Sequence, residues 1–277
     1  MDDSLFSDMP SMRQFHHLFP MIREYVDASE KRFKGVIFDL DDTLAPEASF
    51  ARSGFKAVSQ YIADTTGLKN EYIYDILDSL FTDGERRHIF DRALEILNLP
   101  RHTSQVEKLI DIYRGHEPDT SYLPYPDSEP VLWLLSSLLF CGLITDGTVT
   151  TQQKKLEFLG LAGYFDDVII NEDRRLFKPD RSSYQSLVAR WGIEASSILV
   201  LGDNSSKDFI APREMGMVAV KIKRGGFYDS RIGPVRECPH FTVRNMQGFL
   251  KVILNLEGLL LSQSEKPADQ QRGVPEG

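Results

Sequence analysis

Cysteine is scarce in this chain. Cys141 and Cys238 are its only two among 277 residues, too few and too far apart to suggest a disulfide framework or a zinc site, and they read as reduced thiols. Cations are in deficit: 32 Lys and Arg against 41 Asp and Glu give a formal net charge of −9. A general nucleic-acid binder relies on surplus Lys and Arg to displace counterions, so the balance argues against that class. A phosphorylated substrate stays open, because local charge matters more than the total. Long apolar runs are missing as well. The longest, Val131 to Ile144, is broken by Ser136, Ser137 and Gly142 and falls short of the ~20 residues that span a bilayer. The opening Met1-Asp2-Asp3-Ser4 has neither the basic segment nor the apolar core of a signal peptide. The expectation is a soluble cytoplasmic protein with no nucleic-acid and no membrane partner.

What the chain does have is Phe33-Lys34-Gly35-Val36-Ile37-Phe38-Asp39-Leu40-Asp41-Asp42-Thr43-Leu44, an apolar strand running into three carboxylates and a hydroxyl. Residues i and i+2 of an extended segment share a side, so Asp39 and Asp41 are expected to face one site while Asp42 points away. An isolated pair of acids is usually just an acidic loop. Here further strand-like runs follow: Cys141 to Thr145, Val168 to Ile170, Ile198 to Leu201, Met217 to Ile222 and His240 to Val243. Helical stretches separate them, including Ser182 to Trp191, Asp208 to Met215, where Pro212 implies a loose start or a short regular part, and a segment through Leu159 that Gly160 is placed to stop. Alternation of this kind predicts an α/β fold, a Rossmann-like parallel sheet with helices on both faces. Such sheets bind ligands beyond the carboxyl ends of their strands. That rule gathers Asp39, Asp41, Thr145 and Asp203 in one crevice.

Between the first strand and Pro124 the pattern changes to amphipathic helices, with stripes such as Phe55, Val58, Ile62 and Ile89, Ala93, Leu94, Leu97. The expected organisation is an N-terminal segment 1–31, an α/β core made of 32–46 and 125–261, a helical insertion 47–124, and a flexible tail 262–277. The adjacent His16 and His17 do not share a helix face and suggest no paired metal site.

Carboxylates that converge need compensation by protons or a cation. A hard divalent ion fits, since Mg²⁺ commonly takes one or two carboxylates together with water and phosphate oxygens. The chain resembles the haloacid dehalogenase (HAD) superfamily in its phosphatase branch, on four motifs in order: DxDxT at Asp39–Thr43, a strand-terminal Thr145, Lys178-Pro179, and GDxxxxD at Gly202–Asp208. The resemblance implies Asp39 as a nucleophile forming an aspartyl-phosphate and as a metal ligand, and Asp41 as general acid and base, also reaching the metal through its backbone carbonyl. It implies Thr145 and Lys178 as both catalytic and phosphate-binding, with the backbone near Asp146 and Gly147 assisting. Asp203 and Asp208 are implied as further ligands of Mg²⁺, with Asn204 a lesser candidate near the metal.

In that family the insertion is a cap of the C1 type, closing over the site after the first strand. Arg52, Arg86, Arg87 and His88 are the cap residues able to touch a polar substrate, the plainer alternative being solvent exposure. The function expected from the resemblance is Mg-dependent hydrolysis of a small phosphate monoester, a sugar phosphate or related metabolite, with a nucleotide as second choice. Asp41 argues against a haloalkanoate dehalogenase, whose halide leaves unprotonated. A phosphomutase of the same fold and a non-catalytic binding or scaffold protein stay open, as does the oligomeric state.

Overall fold

The computed structural model describes residues 10–230 and 233–259; the expected tail at 262–277 lies outside them. Strand β1, Gly35–Phe38, is buried along its whole length. Apolar residues without alternation need cover on both faces, and β1 obtains it at the middle of a sheet. Around it lie β2 (Phe140–Asp146), β3 (Asp167–Asn171), β4 (Ile198–Gly202), β5 (Val218–Ile222) and β6 (Phe241–Val243). Among the described residues they form one sheet in the order β3-β2-β1-β4-β5-β6, every pairing parallel. The order reverses direction at β1, between β2 and β4, and the crevice beyond this switch point is where such folds hold ligands.

Successive side chains of β1 go to opposite faces. Val36 and Phe38 join a core shared with the Ser128–Ser136 and Met246–Leu256 helices, and Ile37 joins a second core with Tyr184, Leu187 and Trp191. Two glycines let the second layer approach: a Cβ on Gly35 or on Gly142 would stand 2.9 Å from the Trp191 ring. Gly160 ends the Val149–Leu159 helix in the left-handed conformation, φ 68°.

Four helices, Glu47–Thr66, Asn70–Thr82, Ile89–Ile96 and Thr103–Gly115, lie between β1 and the rest of the core. They enclose a separate apolar cluster containing Phe55, Val58, Ile62, Ile73, Leu77, Phe90, Leu94 and Leu109. The chain returns through Tyr125, whose amide donates to the Leu44 carbonyl at 2.9 Å, and Ser128, whose hydroxyl donates to the same oxygen at 2.9 Å. Entry and exit of the inserted bundle are thereby pinned to the loop that follows β1.

Two local expectations change. The single helix expected over Asp208–Met215 is two short ones, Ser205–Asp208 and Ile210–Glu214, broken at Phe209. Pro212 is the reason: it lacks an N–H and is tolerated only in a first turn, so a new helix has to begin just before it. The N-terminal segment is also more than a lead-in. Phe15, Leu18, Ile22 and Tyr25 are fully or almost fully buried in the main core, on a 3₁₀ turn, Pro10–Leu18, and a helix, Phe19–Asp27.

Candidate active site

β1 stops at Phe38. Asp39 follows directly, held beside β4 by its amide, which donates to the Leu201 carbonyl at 3.0 Å. The chain then turns instead of continuing as a strand. Leu44 and Ala45 both donate to the Leu40 carbonyl, and Asp42 takes a positive φ of 53°. Asp39 and Asp41 therefore meet the site through a turn, and Asp42, expected to point away, lines the same pocket. Its carboxylate accepts from the Glu47 amide at 3.0 Å, and burial, reinforced by Glu47, pushes its carboxyl up to about 6.

The Lys178 ammonium is buried between two acids, 2.5 Å from Asp39 Oδ1 and 2.8 Å from Asp208 Oδ1, and donates to the Ile144 carbonyl at 3.2 Å. Burial alone would lower its pKa; Asp208 and Asp39 outweigh this and hold it above the ordinary lysine range. The other Asp39 oxygen accepts from the Thr43 hydroxyl at 3.3 Å. Burial raises the Asp39 carboxyl to about 7 against the opposing effect of Lys178, with Asp208 and Asp41 adding to the rise. Asp203, one residue past β4, is raised well above the carboxylate range by burial and then by Asp208 and Asp39. Oxygens of Asp39, Asp203 and Asp208 lie within 4.8 Å of one another.

The cavity they border holds about 120 Å³ and is lined by seven carboxylates, Asp39, Asp41, Asp42, Glu47, Asp146, Asp203 and Asp208, against two lysines, Lys178 and Lys207. Lys178 serves Asp39 and Asp208, Lys207 pairs with Asp146 at 3.1 Å, and among the described residues no cation pairs with Asp203. The donors are all hard oxygens in surplus over cations, and this set fits a divalent ion of the Mg²⁺ type.

Thr145 lies in β2, buried, its hydroxyl accepting from Gln152 Nε2 at 2.5 Å. The Asp146 carboxylate is an organiser: it accepts from the Lys178 amide at 3.1 Å, from Asn171 Nδ2 at 3.1 Å and from Lys207. The Gly147 amide donates to the Asn171 carbonyl at 3.0 Å, and the residue is not in the cavity lining. The Asp41 carboxylate stands apart from the three-acid cluster, with both oxygens 2.8 Å from Lys155 Nζ and Oδ2 3.2 Å from Gln152 Nε2. In the GDxxxxD turn, Asp208 Oδ2 accepts from the Asn204 amide at 2.8 Å. A Cβ on Gly202 would fall 2.5 Å from that oxygen, so the motif's glycine makes room for its last aspartate.

Sequence reasoning missed Gln152, Lys155, Glu47, Lys207 and Tyr228. Gln152 and Lys155 are three apart, hence on one face of their helix, and this face is buried; nothing in the sequence distinguishes buried Lys155 from its half-buried neighbour Lys154. Of the four inserted-helix candidates, Arg52 and Arg86 border an adjoining cavity of about 440 Å³ that shares Asp42 and Glu47 with the site. Arg52 pairs with Asp78 at 2.7 Å. Arg86 lies 3.6 Å over the Phe81 ring and 5.2 Å from that of Phe227. Arg87 and His88 are exposed and border neither cavity.

The family model of haloacid dehalogenase-like hydrolases matches residues 33–216. The glyceraldehyde 3-phosphate phosphatase of Methanocaldococcus jannaschii is 30% identical over 232 residues, covering 81% of this chain and 98% of that protein. The enzyme of the same name from Methanopyrus kandleri is 29% identical over 231 residues, covering 80% and 98%. In fold, the solved structure of YfnB from Bacillus subtilis, bound to magnesium, superposes with a TM-score of 0.60 at 17% identity, covering 80% of this chain and 99% of that one. With the match spanning β1 through the GDxxxxD turn, the chain belongs to the haloacid dehalogenase-like hydrolases.

Proposed function

We propose that this hydrolase is a Mg²⁺-dependent phosphatase that cleaves a small phosphate monoester of the sugar-phosphate class through an aspartyl-phosphate on Asp39. One observation carries the reading: an almost fully buried carboxylate with one oxygen on a buried lysine and the other on a threonine hydroxyl, beside a second carboxylate held separately by its own cation.

Asp39 is the nucleophile. Its attack on phosphorus forms a carboxyl O–P bond as the ester O–P bond breaks, dividing one hard displacement into two easier ones. The Lys178 ammonium, fixed by Asp208, steadies negative charge as it builds on the phosphoryl oxygens. The Thr145 hydroxyl, oriented by Gln152, is placed to donate to one of those oxygens. Asp41 gives its proton to the departing ester oxygen and later takes one from the water that releases phosphate, a role worth about 10²–10⁴-fold. Asp39, Asp203 and Asp208 would hold the dication, which when bound offsets the charge of the phosphoryl group and of the acids around it. The inserted bundle serves as the cap, and the cavity bordered by Arg52, Arg86 and Phe227 would receive the part of the substrate beyond the phosphate. The relatives' substrate makes glyceraldehyde 3-phosphate the first compound to try.

Released inorganic phosphate is measured for wild type and Asp39→Asn with Mg²⁺, over glyceraldehyde 3-phosphate, hexose phosphates, nucleotides and phosphorylated acids. The proposal expects release by wild type and none by the variant. A phosphorylated isomer in place of free phosphate would make the protein a mutase. No turnover of any ester would make it a binding protein.

A further inference from the structure

Lys155 is a buried lysine outside the four motifs, and the mechanism so far leaves it unused. It stands on the Val149–Leu159 helix, whose inward face carries polar Thr151, Gln152 and Lys155 beside Leu156 and Leu159. An ammonium so enclosed has to be paired. Its partner is Asp41, with both oxygens at 2.8 Å. A two-oxygen contact fixes the plane of a carboxylate as well as its distance. Gln152, one turn earlier, adds a hydrogen bond to Asp41 Oδ2 at 3.2 Å while holding Thr145 at 2.5 Å. Lys155 is held further by Phe50, its Nζ lying over that fully buried ring, 4.5 Å from the centre.

We infer that Lys155, with Gln152, is the positioning residue for Asp41: it sets the direction from which that carboxyl delivers its proton to the departing ester oxygen. Phe50 belongs to the first inserted helix, Glu47–Thr66, so the lysine touches both the proton carrier and the root of the bundle that covers the site. The inference rests on the phosphatase reading above and assigns it a component outside the known motifs. In the step concerned, Asp41 enters protonated, one oxygen still accepting from Lys155 and the other carrying the proton; the Asp39–phosphorus bond forms, the ester O–P bond breaks, and the oxygen leaves with that proton, Asp41 returning to the carboxylate that Lys155 holds through both oxygens. Proton delivery matters when the leaving oxygen is strongly basic, as in a sugar alcohol, and matters little for p-nitrophenolate, which departs without one. A misdirected Asp41 therefore harms one kind of ester and spares the other.

The test is kcat/KM, which reports events through departure of the leaving group, for Lys155→Met and Lys155→Arg on two probes: glyceraldehyde 3-phosphate, or the sugar phosphate wild type cleaves best, and p-nitrophenyl phosphate. For Lys155→Met we expect a loss on the order of 10²-fold on the sugar ester and less than about threefold on the aryl ester, the size of a general-acid contribution. Lys155→Arg, which keeps a cation facing the carboxylate, should recover most of the sugar-ester rate. Thermal unfolding of each variant checks folding; should Lys155→Met fail to fold, Lys155→Gln, which retains a donor in similar volume, is read for the same ratio. Equal losses on both esters, or no loss on either, would overturn the positioning role while leaving the phosphatase reading intact. Failure of wild type to cleave either ester would overturn the phosphatase reading itself.

Discussion

Replacing Asp203 by Asn should make the metal-free protein more stable while destroying its response to Mg²⁺. The carboxylate is buried, faces Asp39 and Asp208 in a cluster within 4.8 Å, and has no paired cation among the described residues. Its folded-state pKa is raised, so the folded protein binds its proton more tightly than the unfolded chain does. The resulting penalty is absent below the ordinary carboxylate range and grows as pH rises through and beyond it. At neutral pH, Asn relieves a penalty of at least about 1–3 kcal/mol, the range for an unsatisfied buried polar group, which a carboxylate exceeds. Taken at about 2–4 °C per kcal/mol for a chain of this size class, the variant should melt several degrees higher in EDTA. Saturating Mg²⁺ reverses the order, because a ligand at a hundred times its Kd stabilises the folded state by about 2.7 kcal/mol. Differential scanning fluorimetry of both proteins, in EDTA and across a Mg²⁺ titration at pH 7.5, should show the two melting curves exchange places. If the variant melts lower than wild type in EDTA, the acidic cluster is not strained without a cation. If wild type ignores Mg²⁺, the three carboxylates do not hold it.

Gly202→Ala should cost about 1–3 kcal/mol in urea unfolding through overpacking, since the new Cβ would lie 2.5 Å from the Asp208 carboxylate that holds Lys178; a change under about 0.5 kcal/mol, the range of a neutral surface substitution, refutes the account of the motif's glycine. Lys178→Met leaves Asp39 and Asp208 buried without their shared cation and should destabilise the metal-free protein by about 3–5 kcal/mol, with phosphate release falling below detection; unchanged stability in EDTA would show that the two acids do not depend on the lysine. His116, at the exit of the inserted bundle, is held below the ordinary histidine range by burial. The fold disfavours its protonation, so its contribution is full above the unfolded pKa of about 6.5 and is lost as pH falls below that, through the lowered folded pKa. Stability measured by urea between pH 7.5 and 5.5 should therefore decline less steeply in His116→Gln, by at most ~1.4 kcal/mol per pH unit, the weight of one proton; parallel curves would place the acid sensitivity elsewhere.

The parts of this protein that sequence reveals are those where local pattern and global position coincide. β1 reads as a buried strand because Val36, Ile37 and Phe38 are all apolar, and a parallel sheet is the setting that covers both faces. β4 is legible for the same reason, whereas the edge strands β3 and β6 are partly exposed and show only as short apolar runs between helices; the strand-end rule then brings Asp39, Thr145 and Asp203 together without any knowledge of side-chain contacts. Legibility ends where tertiary contact decides. Strand alternation puts Asp42 on the far side, yet the strand ends at Phe38, and a turn with positive φ at Asp42 brings it to the pocket. Lys154 and Lys155 are the same residue type in the same helix; a rotation of one position separates a surface ion pair with Glu117 from a buried pair with Asp41. The inserted helices show the same limit from the other direction, since four basic candidates were equivalent on paper and only Arg52 and Arg86 reach a cavity beside the site. Strand ends fix which acids and hydroxyls gather at the crevice, and the helix faces and inserted bundle packed against them, unreadable from pattern alone, fix how those groups are paired and which further residues border them.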